Sequence, residues 1–234
     1  MKNNYFYKLC KVIGWPVLFW ASQFLLLFLI FLVYSLLTNS NEFANFINYH
    51  SYIIGFLNAV IFLPIFYKKY KKYCPKDQNK INQPIKIILV AVLTSSALNE
   101  IILLIKLFLS IEMTVNLNIF LLINTILIGP ILEELLFRGI VFNILLTFNS
   151  EKKSLIITTI LFAVMHGDLL TIIYTLIMGY ILNKLYIKQK TLKAPILFHI
   201  TINFISAFII PLIYTIIWQN NIIRYNIVCL TYNY

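Results

Sequence analysis

The run Trp15–Leu37 carries no charged residue, and about 20 apolar residues suffice for a helix to cross a bilayer. Comparable apolar runs recur along the chain, and most lysines fall in the segments between them. Inside hydrocarbon every backbone N–H and C=O must find a partner within the protein, so only helices and closed barrels can span. Runs of this length select helices. Composition agrees, since 61% of the 234 residues are hydrophobic and 12% are charged, about half the charged share of a soluble domain. The expected fold is therefore all-α: a polytopic transmembrane helical bundle of about 7–8 spans, with residues 1–234 forming one integral membrane domain.

Hydropathy places helices at about 13–37, 52–67, 85–108, 118–146, 155–166 and 169–186, with a last one starting near Ala194-Pro195. The polar stretch TSSALNE interrupts the third at 94–100. Pro211 should kink or end the last helix, leaving 212–218 as an extra partial span. Lys2, Lys8 and Lys11 before an apolar run imitate a secretion signal, but the run is too long and no small-x-small cleavage site follows. It reads as a retained first span.

Positive charge orients the bundle. The N-terminus and the loops around 68–86, 152–153 and 184–193 are rich in lysine, whereas 38–51 and 109–117 carry almost none. The expectation is a multi-pass cell-membrane protein with a cytoplasmic N-terminus. The net charge of +11 then belongs with anionic lipid headgroups, not with nucleic acid. Cys10, Cys74 and Cys229 show no metal-ligand spacing, and a disulfide is not expected.

Against this background Glu133, Glu134 and Arg138 stand inside an otherwise membrane-spanning stretch. A charged side chain at the bilayer centre costs roughly 2.5–3.5 kcal/mol even on gentle scales, so such groups mark a functional interior. Glu134 and Arg138 are four apart and share a helix face. Glu133 is turned about 100° away, free to face a cavity. Phe162/His166 and His199/Asn203 repeat the same spacing on two later helices. By a rise of ~1.5 Å per residue, Glu133 lies roughly 20 Å, His166 ~18 Å, Asn203 ~14 Å and His199 ~8 Å from the lysine-rich ends of their helices. These depths overlap within the error of helix boundaries, so the groups can converge in one intramembrane cavity.

Each group taken alone has a structural reading. Glu134–Arg138 can be an ion pair, Phe162 packing, His166 an interfacial histidine, and His199/Asn203 interhelical hydrogen bonding. Asp168 fits the turn after Gly167, Glu100 has no evident partner, and His50 falls in an external loop. Together, a carboxylate, two imidazoles and an amide are the groups that activate water and hold an oxyanion.

The order Glu133-Glu134-x-x-x-Arg138, Phe162-x-x-x-His166, His199-x-x-x-Asn203 resembles the three signature motifs of the CPBP (Abi) intramembrane proteases, relatives of the type II CAAX prenyl endopeptidases that include bacteriocin-processing and immunity proteins. Gly129-Pro130 before the glutamates and Phe137-Arg138-Gly139 after them fit as well. The motif region spans about 117–210. The resemblance implies a hydrolase in which Glu133 and His166 activate water, directly or through a divalent metal such as zinc. His199 and Asn203 would polarise the scissile carbonyl, and Glu134 and Arg138 would anchor the geometry. Glu133, His166 and His199 are the candidate metal ligands, although no HExxH is present. The implied substrate is a peptide or small membrane protein cut near the cytoplasmic side. A non-catalytic immunity or scaffold protein keeping the motif as a structural network is the alternative. A proton-relaying transporter is a third reading, opposed by the lack of an inverted repeat of interrupted helices.

Overall fold

The structure is a computed structural model. It describes residues 2–38, 43–74, 80–109 and 118–213, with two short strands, Thr114–Val115 and Asn226–Ile227, paired in parallel. The expected partial span at 212–218, the tail and Cys229 fall largely or wholly outside the described residues. The helices are α1 (Lys2–Thr38), α2 (Phe43–Tyr73), α3 (Pro84–Phe108), α4 (Ile119–Leu146), α5 (Glu151–Val164), α6 (Leu169–Gln189) and α7 (Lys193–Ile213). All but α5 are long and apolar enough to cross a membrane. Helix α5 has 14 residues, about 21 Å of rise, and ends two residues before His166.

Helix α4 is the axis of the molecule. Every residue from Leu135 to Phe142 is buried, the mark of a helix packed on all sides. Phe62, Phe66 and Tyr70 of α2, Leu155 and Phe162 of α5, and Tyr186 of α6 join it in one core. A second core joins α3, α6 and α7 through Ile87, Ala91, Met178, Leu182, Phe198 and Ile202. Helix α1 clips to α2 at Trp15–Phe66 and Phe19–Phe62, with Ser22 donating to Asn58 Oδ1 at 3.1 Å.

Two π-helical segments, Asn124–Ile128 and Leu135–Phe142, flank the glutamates. The first has a covalent cause. Pro130 has no N–H to give the carbonyl four residues back, and its ring crowds that carbonyl. The ladder widens, and the Gly129 N–H bonds to the Asn124 carbonyl. A Cβ at Gly129 would lie 2.8 Å from that oxygen, so only glycine permits the approach. In the second segment the Asn143 side-chain amide donates to the Arg138 and Gly139 carbonyls at 2.8 and 3.1 Å. It satisfies acceptors that the widened ladder handles poorly. Single widened turns of this kind often accompany functional sites.

The α5–α6 turn follows its residues. Gly167 takes φ +86°, and Asp168 caps α6 by accepting from the Thr171 N–H at 3.1 Å. The α6–α7 connection is sunk into the protein, with Thr191, Leu192 and Ala194 all buried. It packs on α4 at Gly139, where an added Cβ would stand 2.9 Å from Tyr70 and 3.2 Å from Leu192. Gly139→Val should therefore destabilise the bundle by about 1–3 kcal/mol through overpacking. The measurement is the thermal midpoint and monodisperse yield in detergent; an unchanged midpoint would mean that α2 and the connection can move apart at no cost.

Candidate active site

The two glutamates divide as their helix faces dictate. Glu134 is fully buried and its Oε1 receives Arg138 Nη1 at 2.9 Å. Arg138 is also fully buried, and each of its nitrogens has an acceptor. Nε donates to Asn183 Oδ1 at 3.2 Å and Nη2 to the Gly179 carbonyl at 3.0 Å. Its guanidinium carbon lies 4.6 Å from the centre of the Phe162 ring, a cation–π contact that gains strength away from water. Asn183 is itself fixed by donating to Thr159 Oγ1 at 2.9 Å. One charged pair thereby joins α4, α5 and α6.

Glu134 Oε1 also accepts from His199 Nδ1 at 2.9 Å. A carboxylate can only accept, so Nδ1 carries the hydrogen, and in the neutral ring the Nε2 lone pair points the other way. His166 is set alike: Nδ1 donates to the Phe162 carbonyl at 2.7 Å, leaving Nε2 as its free nitrogen. Both Nε2 atoms face Glu133 Oε2, at 3.9 Å for His166 and 3.8 Å for His199. The exposures are 30% for Glu133, 24% for His166 and 8% for His199, against 0% for Glu134 and Arg138. Glu133 and His166 are partly exposed and His199 is nearly buried; Glu134 and Arg138 are sealed from solvent.

Phe162 is buried between Phe137, His166, His199 and Arg138, so it holds both imidazoles by packing. Asn203 is placed by α4, donating from Nδ2 to the Thr125 carbonyl at 2.8 Å, which leaves its second N–H unused by that contact. Glu100 is exposed on α3 and is not brought to this cluster. Sequence reading did not single out Asn183, Asn143 or Thr125. Asn183 had a usable signal, since Gly179 and Asn183 repeat the spacing of four that drew attention to the other pairs. Thr125 had none, because it acts through its main chain.

Glu133, His166 and His199 offer the donor types that zinc takes. Bonds of about 2.0–2.1 Å in a tetrahedron would hold ligand atoms about 3.4 Å apart, and the nitrogens here stand 3.8 and 3.9 Å from the shared oxygen. Among the described residues no group of three His, Cys, Asp or Glu side chains is arranged to hold a metal. The set as it stands does not fit an ion, and no step below is routed through one.

Residues 115–205 match the family model described as Type II CAAX prenyl endopeptidase Rce1-like. The matched stretch contains all three motifs, Glu133-Glu134-x-x-x-Arg138, Phe162-x-x-x-His166 and His199-x-x-x-Asn203. A curated relative is "Putative membrane peptidase YdiL" of Bacillus subtilis (strain 168), 32% identical over 77 residues, or 33% of this chain. The match spans about a third (32%) of that relative's length. No solved structure matches.

Removing one member of a buried pair strands the other charge at a cost of about 3–5 kcal/mol. Arg138→Ala and Glu134→Ala should each sharply reduce folded protein. Asn183→Ala, which strands one guanidinium N–H, should cost about 1–3 kcal/mol. Size-exclusion profiles and thermal midpoints of the three variants test this ranking, and a stable Arg138→Ala protein would contradict it.

Proposed function

We propose that the chain is an intramembrane endopeptidase that hydrolyses a peptide bond of a peptide or membrane-associated substrate near the lysine-rich face. The observation that carries this reading is the convergence of Glu133 Oε2 with the Nε2 atoms of His166 and His199, at 3.8–3.9 Å. That spacing is too long for direct hydrogen bonds and suits a water shared among the three. Glu133 accepts the proton of that water as it attacks the scissile carbonyl carbon and returns it to the leaving nitrogen. His166, locked by the Phe162 carbonyl, orients the water. The spare N–H of Asn203, together with His199 in the form that carries a hydrogen on Nε2 as well as on Nδ1, holds the oxygen on which negative charge develops. Glu134 and Arg138 touch no substrate; they set the His199 ring, as its 2.9 Å bond to Glu134 indicates.

The test uses purified protein in proteoliposomes and a pooled library of quenched fluorescent peptides carrying an apolar anchor. Glu133→Ala and His166→Ala should lower cleavage by about 10²–10⁴-fold, and Asn203→Ala by about 10²–10³-fold, with folding unchanged. Full cleavage by Glu133→Ala would overturn the mechanism. Protection or binding that survives in all three variants would favour the non-catalytic immunity or scaffold role. The same assay tests the metal. The geometry leads us to expect no loss with 1,10-phenanthroline, whereas loss restored by zinc would make Glu133, His166 and His199 its ligands.

The orientation proposed with this function puts the N-terminus and the lysine-rich ends in the cytoplasm. A fluorescent protein fused at the N-terminus should fold and fluoresce, and alkaline phosphatase inserted between α1 and α2, within 39–42, should be active. The reverse pattern would invert the topology.

A further inference from the structure

A cavity of ≈ 290 Å³ lies away from the glutamates, between the start of α3, the end of α6 and the first turns of α7. Two kinds of residue line it. Lys86, Lys184 and Lys188 are exposed and carry its charge; Ile87 and Phe198 are buried and, with Ile181, make it apolar. No acidic residue lines it. Among the described residues no carboxylate is within ion-pair distance of the three lysines. Lys184 and Lys188 are four apart on one helix face, where like charges repel, and Lys86 faces them from α3 across the same cavity. Lys184 also lies over the Tyr180 ring at 5.7 Å, and the three charges have no anionic partner among the described residues.

The polar edge of this cavity is a defined structure. The Asn82 N–H donates to Gln189 Oε1 at 3.1 Å, and Gln189 Nε2 donates back to the Asn82 carbonyl at 3.2 Å. This reciprocal pair ties the chain before α3 to the last residue of α6. Lys86 is two residues past the start of α3, and Lys188 one residue before the end of α6. Both helices are of membrane-crossing length, and lysines at the ends of such helices belong at headgroup depth, with Ile181 about a turn farther into α6 than Lys184.

We propose that this cavity binds an anionic phospholipid, its phosphate among Lys86, Lys184 and Lys188 and an acyl chain along Ile87, Ile181 and Phe198. Basic pockets between membrane helices recognise lipid headgroups in this way. A free phosphate would use the lysines and not the apolar wall, so the lipid is the ligand that both halves of the cavity match.

The experiment is native mass spectrometry of the full chain in neutral detergent, titrated with dioleoylphosphatidylglycerol or dioleoylphosphatidylcholine. Binding of the anionic lipid should weaken about fivefold per lysine removed, and about a hundredfold in Lys86→Gln/Lys184→Gln/Lys188→Gln. Binding of the zwitterionic lipid should be weak throughout. Lys68→Gln/Lys71→Gln/Lys72→Gln removes as much charge from the end of α2 and should leave the site intact. Single Lys184→Gln serves if the triple variant fails to fold. Equal binding of both lipids, or no difference between the wild type and Lys184→Gln, would overturn the site. Displacement of the lipid by millimolar inorganic phosphate would make it a free-phosphate site, and displacement by a short acidic peptide would make it a peptide site; either result overturns the lipid assignment.

Discussion

Arg138 is a permanent charge with no exposed surface, and the arrangement of four helices follows from how it is satisfied. Each of its nitrogens needs an acceptor, because an unpaired N–H in this interior has no water to turn to. Glu134 on its own helix, Asn183 and the Gly179 carbonyl on α6, and the face of Phe162 on α5 provide the partners. Glu134 then passes the constraint to α7 through His199. A well-packed apolar substitute for a buried pair can be equally stable. What the pair adds here is direction: it turns the His199 ring so that Nε2 faces Glu133.

The same interior separates two neighbouring residues of one type. Glu134 lies on the packed side of α4 and has no exposed surface, whereas Glu133, one residue earlier, is 30% exposed. The two π-helical segments bracket them. Pro130 and Gly129 produce the first, and the Asn143 side chain supports the second. The carboxylate free to meet water is thus held by a rigid, locally widened helix, and the one that cannot meet water holds the site together.

Much of the fold could be read from hydropathy, because in a membrane the backbone leaves little choice but helix. The apolar runs at 13–37, 85–108, 118–146 and 169–186 reappear within a few residues in α1, α3, α4 and α6, apart from an α1 that begins earlier. Hydropathy bounds the second helix at 52–67, whereas α2 runs from Phe43 to Tyr73, taking in part of the expected 38–51 loop and continuing through the basic Lys68–Tyr73 end. His199, the seventh residue of α7, already rests on Glu134, and the connection before it packs into the protein through Thr191, Leu192 and Ala194.

The chain by itself determined that helices would form, where charges would have to be buried, and that Glu134 and Arg138 would share a face. Those outcomes depend on local geometry and on the cost of polar groups in hydrocarbon, both of which are written in spacing and composition. Only the tertiary structure decided which groups meet. That His199 rests on Glu134, that Asn203 is held by the main chain of Thr125, and that Asn183 completes the shell of Arg138 are contacts between helices far apart in sequence. Spacing along one helix carries no record of the register between two, so those pairings emerge only when the helices pack.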